Sequence, residues 1–509
     1  MRIGLSRVRL VPVRWALLIF LLGVLAAPQV AQAHVGSKDV FEQVSAGPYK
    51  LFVTVRTPTV IPGVAGIEVR SSGAAVDGMT VTPVPMTGDA ANHPPTPDVM
   101  KRSASDPAFF TGNLWLMASG SWEVRFAVSG ASGQYTAAVP VPAAALSTMT
   151  MHRSLGITLG MLGLFLLIGM AGMVAAAVRD ARLAPGATAS AALRRRALVA
   201  SAASLVLMGV LVWGGAKWWQ VDAADYAAGV FRPLTMEPVL EGNQLQLNVI
   251  SSKANPDERG GHSRSNDDFL PDHGHLMHLY VIRWPEMDAV FHLHPVLAGK
   301  GEFRVALPSM PEGEYHLYGD VVHRNGFPET LVASVKIPAG MAGVPLDSEG
   351  AEGRPAPLSE GMLGSSYTLP DGYVMVWDRP TTITAHTAYA FRFRLMDGHG
   401  KPATEMQPYL GMAGHAAFVK TDGTVFAHTH PEGSAAMAAM MMADKSGAAG
   451  GAMTGMPDHT AMEMPMHSAP MSNVVEFPYG FPSAGRYRIF IQMKHGGVVE
   501  TGTFDAMVQ

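Results

Sequence analysis

Residues 289–295, AVFHLHP, and residues 425–431, VFAHTHP, set the reading of this chain. Each is a short apolar run that closes on two histidines one residue apart and then a proline. An apolar run stopped by proline reads as a β-strand reaching its end. Its appearance twice in one chain points to an internal repeat.

The sequence around each pair repeats too. In the first copy GHLMHLYVIRW precedes the pair, and GEFRVALPSMPEGEYHLYGDVVHRNG and LVASVKIP follow it. In the second, GMAGHAAFVKTDG precedes, and VVEFPYGFPSAGRYRIFIQMKHGG and VETGTFDAMV follow. The register matches His278 with His415, His292 with His428, His294 with His430 and His323 with His495. It also matches Gly313-x-Tyr315 with Gly485-x-Tyr487. Of the 19 histidines, all but His34, His93 and His152 fall in these two stretches. Short strands with regular turn signals predict two Ig-like β-sandwiches, at 229–340 and 363–509. A Pro/Gly-rich linker, 341–362, separates them. The second copy carries an Ala/Gly/Met-rich insertion, 433–472, expected to be a mobile loop without structure of its own.

Upstream, residues 34–150 carry runs such as YKLFVTVRTP and GSWEVRFAV between Gly and Pro signals, which predicts a third sandwich. Residues 1–33 read as a signal peptide, with arginines before an apolar run and Ala31-Gln32-Ala33 at its close. An uncleaved signal anchor is the alternative. Residues 152–178 and 197–217 are each long and apolar enough to span a bilayer. The loop between them, 179–196, holds Arg179, Arg182, Arg194, Arg195 and Arg196, which places it in the cytoplasm, and Trp213, Trp218 and Trp219 anchor the outer interface. The expected protein is mainly β: three Ig-like modules outside the cytoplasm, with a transmembrane helical hairpin between the first and second. The bacterial inner membrane, with the modules facing the periplasm, is the expected location.

Composition narrows the chemistry. The chain has no cysteine and 33 methionines, so soft-metal chemistry falls to Met and His. A formal net charge of -4 without a basic stripe points away from nucleic acid. No Gly-rich phosphate loop, HExxH or nucleophile elbow is found, and no enzyme is expected.

Histidines at i and i+2 of a strand share one face, about 7 Å apart. His292 and His294, completed by His278 and His323, are the first candidate metal site. His428 and His430, completed by His415 and His495, are the second. Ordinary structural histidines bonded to the sheet are the competing explanation. Copper is the first choice of metal and zinc the second, because the insertion adds Met441, Met456, Met464 and Met466 with His459 and His467. Signal cleavage frees His34, whose α-amine and ring, with His93, offer a further copper site. The runs PDVMKRSASDP and NPDERGGHSRSNDD read as solvated loops. Asp267, Asp268 and Asp272, beside His273 and His275, could recruit a cation, but an exposed loop of that composition needs no ligand.

The segments HVGSKDVFEQVSAGPYKLFVTVRTPTVIPGVAGIEVR, PPTPDV and NLWLMASGSWEVRF resemble uncharacterised bacterial membrane-anchored exported proteins. The HxHP repeats are similar to YtkA-like and FixH-like modules. That resemblance implies copper handling, or a partner in oxidase assembly, and names no catalytic residue. Three functions remain in view: periplasmic copper binding for tolerance or delivery, a metal-free envelope scaffold, and a copper redox enzyme built on His34.

Overall fold

The computed structural model describes residues 38–181, 183–250, 265–448 and 471–509. It is mainly β, with paired sheets around three buried cores and two long apolar helices. In the first module, strands Val40–Ala46, Tyr49–Arg56, Gly63–Gly73 and Phe109–Leu116 form one sheet. Gly78–Pro85, Gly120–Gly130 and Gly133–Ala143 form the facing one. Alternation drives the packing: Tyr49, Leu51, Val53 and Val55 are buried while Lys50 faces out. Each such side chain contributes about 1.5–3 kcal/mol of hydrophobic stabilisation.

Helix α1 (Arg153–Asp180) and helix α2 (Ala191–Ala228) pack as a hairpin, with the Ser201 hydroxyl donating to the Ala171 carbonyl at 3.0 Å. α1 has 28 residues and buries none of them. At about 1.5 Å per residue it is about 42 Å long, enough to cross a hydrocarbon core of about 30 Å. Both helices are therefore long and apolar enough to span a membrane. α2 exceeds the expected 197–217. The Ser190 hydroxyl caps Leu193 N–H at 3.3 Å, so Arg194, Arg195 and Arg196 lie on the helix and not in the connecting loop.

In the second module, the central strand His278–Trp284 runs between Val290–Leu293 and Gly313–His323. In the third, His415–Lys420 runs between Phe426–Thr429 and Gly485–His495. The Tyr315 hydroxyl donates to Pro311 O, and the Tyr487 hydroxyl to Ser483 O, both at 2.9 Å, so the same corner recurs in both copies.

These two sheets also pack on each other, outer face to outer face. Tyr280, Ile282, Met287, Val290 and Tyr318 meet Ala417, Val419, Phe426 and Phe490. Tyr318 and Phe426 stack with ring centroids 4.3 Å apart. A sheet buried on both faces needs continuous apolar sequence, and this is why HLYVIRW and HAAFVK do not alternate.

Two expectations are corrected. The 341–362 stretch is more than a linker: Ala351–Gly353 pairs with Val290–Leu293 as an added strand. The 433–472 insertion holds helix α3 (Met437–Ala448), because its Ala/Met run favours helix once its first turn is anchored. Asp272 Oδ1 accepts from Ala438 N–H at 2.7 Å and Glu42 Oε1 from Ala435 N–H at 2.6 Å. The first and third modules are joined: Phe41 lies in the core of the third, edge-on to Tyr479, and Gln43 N–H donates to Glu432 O at 2.6 Å. Modules in contact lie on one side of any bilayer that α1 and α2 cross, and a two-helix hairpin returns the chain to that side.

Candidate metal centre

Strand parity brings the histidines together. Leu279, Val281 and Leu317 point into the second module's own core, and Ala416, Ile489 and Ile491 into the third's. The opposite faces carry His278, Tyr280 and Ile282; Val290 and His292; Phe426 and His428. These are the faces that pack together. Each central strand is entered through the same tight turn, Asp272-His273-Gly274-His275 and Tyr409-Leu410-Gly411-Met412, each preceded by proline. Reciprocal backbone bonds close it, Asp272 with His275 and Tyr409 with Met412, at 2.8–3.0 Å. φ is +50° and +87° at His273 and Gly274, and +52° and +80° at Leu410 and Gly411, the two left-handed positions of a type I′ turn.

The result is one cluster of eight imidazoles between the copies. His278, His292 and His294 bring ligand nitrogens within 4.8 Å of one another, and so do His273, His415 and His430. The two trios are adjacent, with ring centroids 5.9 Å apart for His292–His415 and 6.0 Å for His273–His278, and His428 lies 5.6 Å from His278. His275 stacks on His294 at 4.1 Å.

Oxygen partners fix several rings. His278 Nε2–H donates to Asp272 O at 3.0 Å, and His292 Nδ1–H to Gln492 Oε1 at 2.9 Å. The Tyr409 hydroxyl lies 3.1 Å from His292 Nδ1 and donates to Glu349 O. His428 Nδ1 faces Asp320 Oδ2 at 3.2 Å. Metal-binding histidines are commonly oriented this way by oxygen acceptors behind them. His278 Nδ1 and His292 Nε2 are left facing each other at 3.2 Å. Both nitrogens of His294, His415 and His430, with Nε2 of His273 and His428, are buried without a hydrogen-bond partner. Each unsatisfied buried polar group costs about 1–3 kcal/mol, and folded proteins keep few.

Burial first, and neighbouring histidines second, hold the rings neutral. His278 is pushed down to about 4, His294 to about 2 and His428 to about 3. His292, His415 and His430 fall well below the usual imidazole value for the same reasons. Neutral imidazole is the form that ligates metals. An all-imidazole set without thiolate suits copper, zinc or nickel, so the residues present fit a metal ion.

Six of the eight expected ligands meet here: His278, His292, His294, His415, His428 and His430. His323 and His495 do not. His323 follows Asp320, the strand partner of His278, by three residues, and His495 follows Gln492, the partner of His415, by three. An odd offset turns each side chain to the other sheet face. His323 is held between Asp268 Oδ1 at 2.8 Å and Glu329 Oε2 at 2.9 Å. Burial opposes its protonation, but these two carboxylates hold its pKa above the ordinary value. His495 Nε2 lies 3.1 Å from Asp371 Oδ2, with Glu500 completing a separate group. Asp320 and Gln492, in even register, take the positions assigned to these histidines.

His93 is exposed after the short turn Asp89–Asn92, and Met441 is exposed on α3. His34, Met456, His459, Met464, Met466 and His467 lie outside the described residues. His273 and His275, read as part of a solvated loop, belong to the cluster. The pairing of PDHGHLMH with PYLGMAGH carried that signal, since it extends the repeat back to the turn. A cavity of about 640 Å³ where the three modules meet opens on His278, His428, His430, Asp272 and Asp320.

The family model for a domain of unknown function (DUF8832) matches residues 367–509, the third module. No curated protein matches the chain. Among solved structures, an engineered protein is 18% identical over 20% of this chain and 21% of its own, with a TM-score of 0.15. A tetra-tandem repeat from the extending region of a large adhesion protein is 8% identical over 90% of this chain and 74% of its own, at 0.16. The native conformation of E. coli alpha-2-macroglobulin is 8% identical over 91% of this chain and 23% of its own, at 0.21. The chain thus spans about a fifth of the engineered protein and of the macroglobulin. Likeness at these TM-scores carries no argument about fold or function.

Proposed function

We propose that this protein binds copper outside the cytoplasm, tethered to the bacterial inner membrane, for tolerance or for delivery to a partner. In this reading residues 1–33 are a cleaved signal peptide and the three modules are Ig-like sandwiches in the periplasm. Zinc is the second choice of metal. The observation that carries it is the His278–His292 pair. Each ring spends its N–H on an oxygen, so two bare nitrogens face each other at 3.2 Å. A cation relieves that opposition, and trios from both copies surround the place.

The test is titration of the purified full chain with Cu(I), Cu(II) and Zn(II), beside H294A/H430A. Those two rings make no hydrogen bonds, so their removal disturbs folding least. Tight binding that the folded variant loses supports the reading. A folded parent that binds none of the three ions sinks it. That outcome favours a metal-free envelope scaffold, which the packing of all three modules around one junction also suits.

A further inference from the structure

The cavity that opens on the histidines is bordered by Met86, from the first module, and by Gly326, from the second. Gly326 sits in the left-handed region at φ +82°. The point where its side chain would begin lies 3.4 Å from the Met86 sulfur and 3.3 Å from the Met442 sulfur of α3. Two thioethers from modules far apart in sequence thus converge over a residue that has no side chain. Met442, half-buried, follows the buried Ala438 and Ala439 by one turn on the same inward face of α3, whereas Met441 is exposed.

Asp272 ties this helix to the histidines. Its carboxylate accepts from Ala438 N–H at the start of α3 at 2.7 Å, and its carbonyl accepts from His278 at 3.0 Å. One residue therefore sets both the methionine helix and a ring of the cluster.

The geometry points to a second binding site, in which Met86 and Met442 hold one soft monovalent cation, Cu(I) or Ag(I), at the border of the cavity that leads to the histidines. Its role as an access site for copper rests on the function proposed above; the soft-metal site itself does not. Thioether sulfur selects Cu(I) over zinc, while imidazole takes either, so the two sites differ in chemistry and the methionines meet the reduced ion first. Methionine also serves as gap filler between packed elements. A swap to leucine separates the two roles, because it preserves volume and removes only the sulfur.

The experiment is a titration of the full chain in detergent, labelled at the methionine methyls, with Ag(I) as a soft probe that does not change oxidation state. The Met86 and Met442 methyl resonances, assigned from M86L and M442L, are expected to move together. In M86L the Met442 response should weaken at least tenfold while the metal-free thermal midpoint stays near that of the parent. Movement of outward methyls such as Met441 alone overturns the site, as does a Met442 response that M86L leaves unchanged. A pair that takes Ag(I) in a chain whose histidines bind neither copper nor zinc keeps this inference and removes the copper reading. The reverse result removes the pair alone.

Discussion

Hydrogen bonding of His278 Nε2 to Asp272 O and of His292 Nδ1 to Gln492 Oε1 leaves His278 Nδ1 and His292 Nε2 facing each other across 3.2 Å. His292 thus takes its orientation from the other copy. The same exchange runs the opposite way, where His428 faces Asp320.

Because the imidazoles form two trios, we expect two ions per chain. H294A should leave one, in the His273/His415/His430 trio, and H430A should leave one in the other. Stoichiometry by equilibrium dialysis and metal analysis checks this. A parent chain that saturates at one ion would show that the trios act as a single site.

Asp320 and Gln492 occupy equivalent positions behind His428 and His292, but only Asp320 can ionise, with burial pushing its carboxyl up to about 7. D320N should weaken metal binding by about tenfold, and Q492E should strengthen it by a similar factor, in the range found for groups that orient metal ligands. Competition against a chelator measures both.

The pH dependence of the metal-free protein follows from the lowered histidines. Their folded pKa values lie below the unfolded value of about 6.5, so between the two the unfolded chain binds more protons and stability rises with pH. The stability these neutral rings contribute is present above about pH 6.5. It is lost as pH falls through about 4 for His278 and about 3 for His428. His323 runs the other way: its raised pKa contributes stability below about pH 6.5, lost as pH rises through its folded value. Denaturation midpoints without metal are expected to climb from pH 4 to about 6.5, less steeply than the histidines alone would give, because the carboxyls of Asp320 and Glu500, pushed up to about 7 by burial, act in the opposite direction. Copper should raise the midpoints without flattening that slope, since metal and protons compete for the same nitrogens and the metal-bound fold holds no more protons than the metal-free one.

The stacked pair Tyr318–Phe426 holds the two sheets face to face. F426A removes a fully buried ring and should cost about 3–5 kcal/mol in denaturant unfolding. It should also lower metal affinity, because the two trios then lose their spacing. A variant that loses stability but keeps the parent affinity would show that metal binding does not depend on this packing.

H323A tests the corrected assignment. It should destabilise the second module by breaking bonds to Asp268 and Glu329 while leaving two ions bound. Loss of an ion would return His323 to the ligand set.

Much of this arrangement is local and therefore legible along the chain. The strands that flank the HxHP pairs, the repeat, the helical hairpin and six of the cluster histidines follow from periodicity, proline stops and apolar length. These features depend on residues a few positions apart. His273 and His275 were legible only through the second copy, where Leu410 and Met412 mark the same turn. Helix α3 was not legible, because an Ala/Gly/Met run orders only when Asp272 and Glu42, distant in sequence, anchor its first turn.

Each strand's own residues set which side chains offer ligand atoms and how they alternate along it. The tertiary structure decided which of them meet. Side-chain direction reverses with every residue, so His323 and His495, in step along the chain, point away from the cluster, while Asp320 and Gln492 point into it. The copies meet through their outer faces because those faces are apolar, and that packing, which depends on two surfaces at once, brings the histidines of both copies into one cluster.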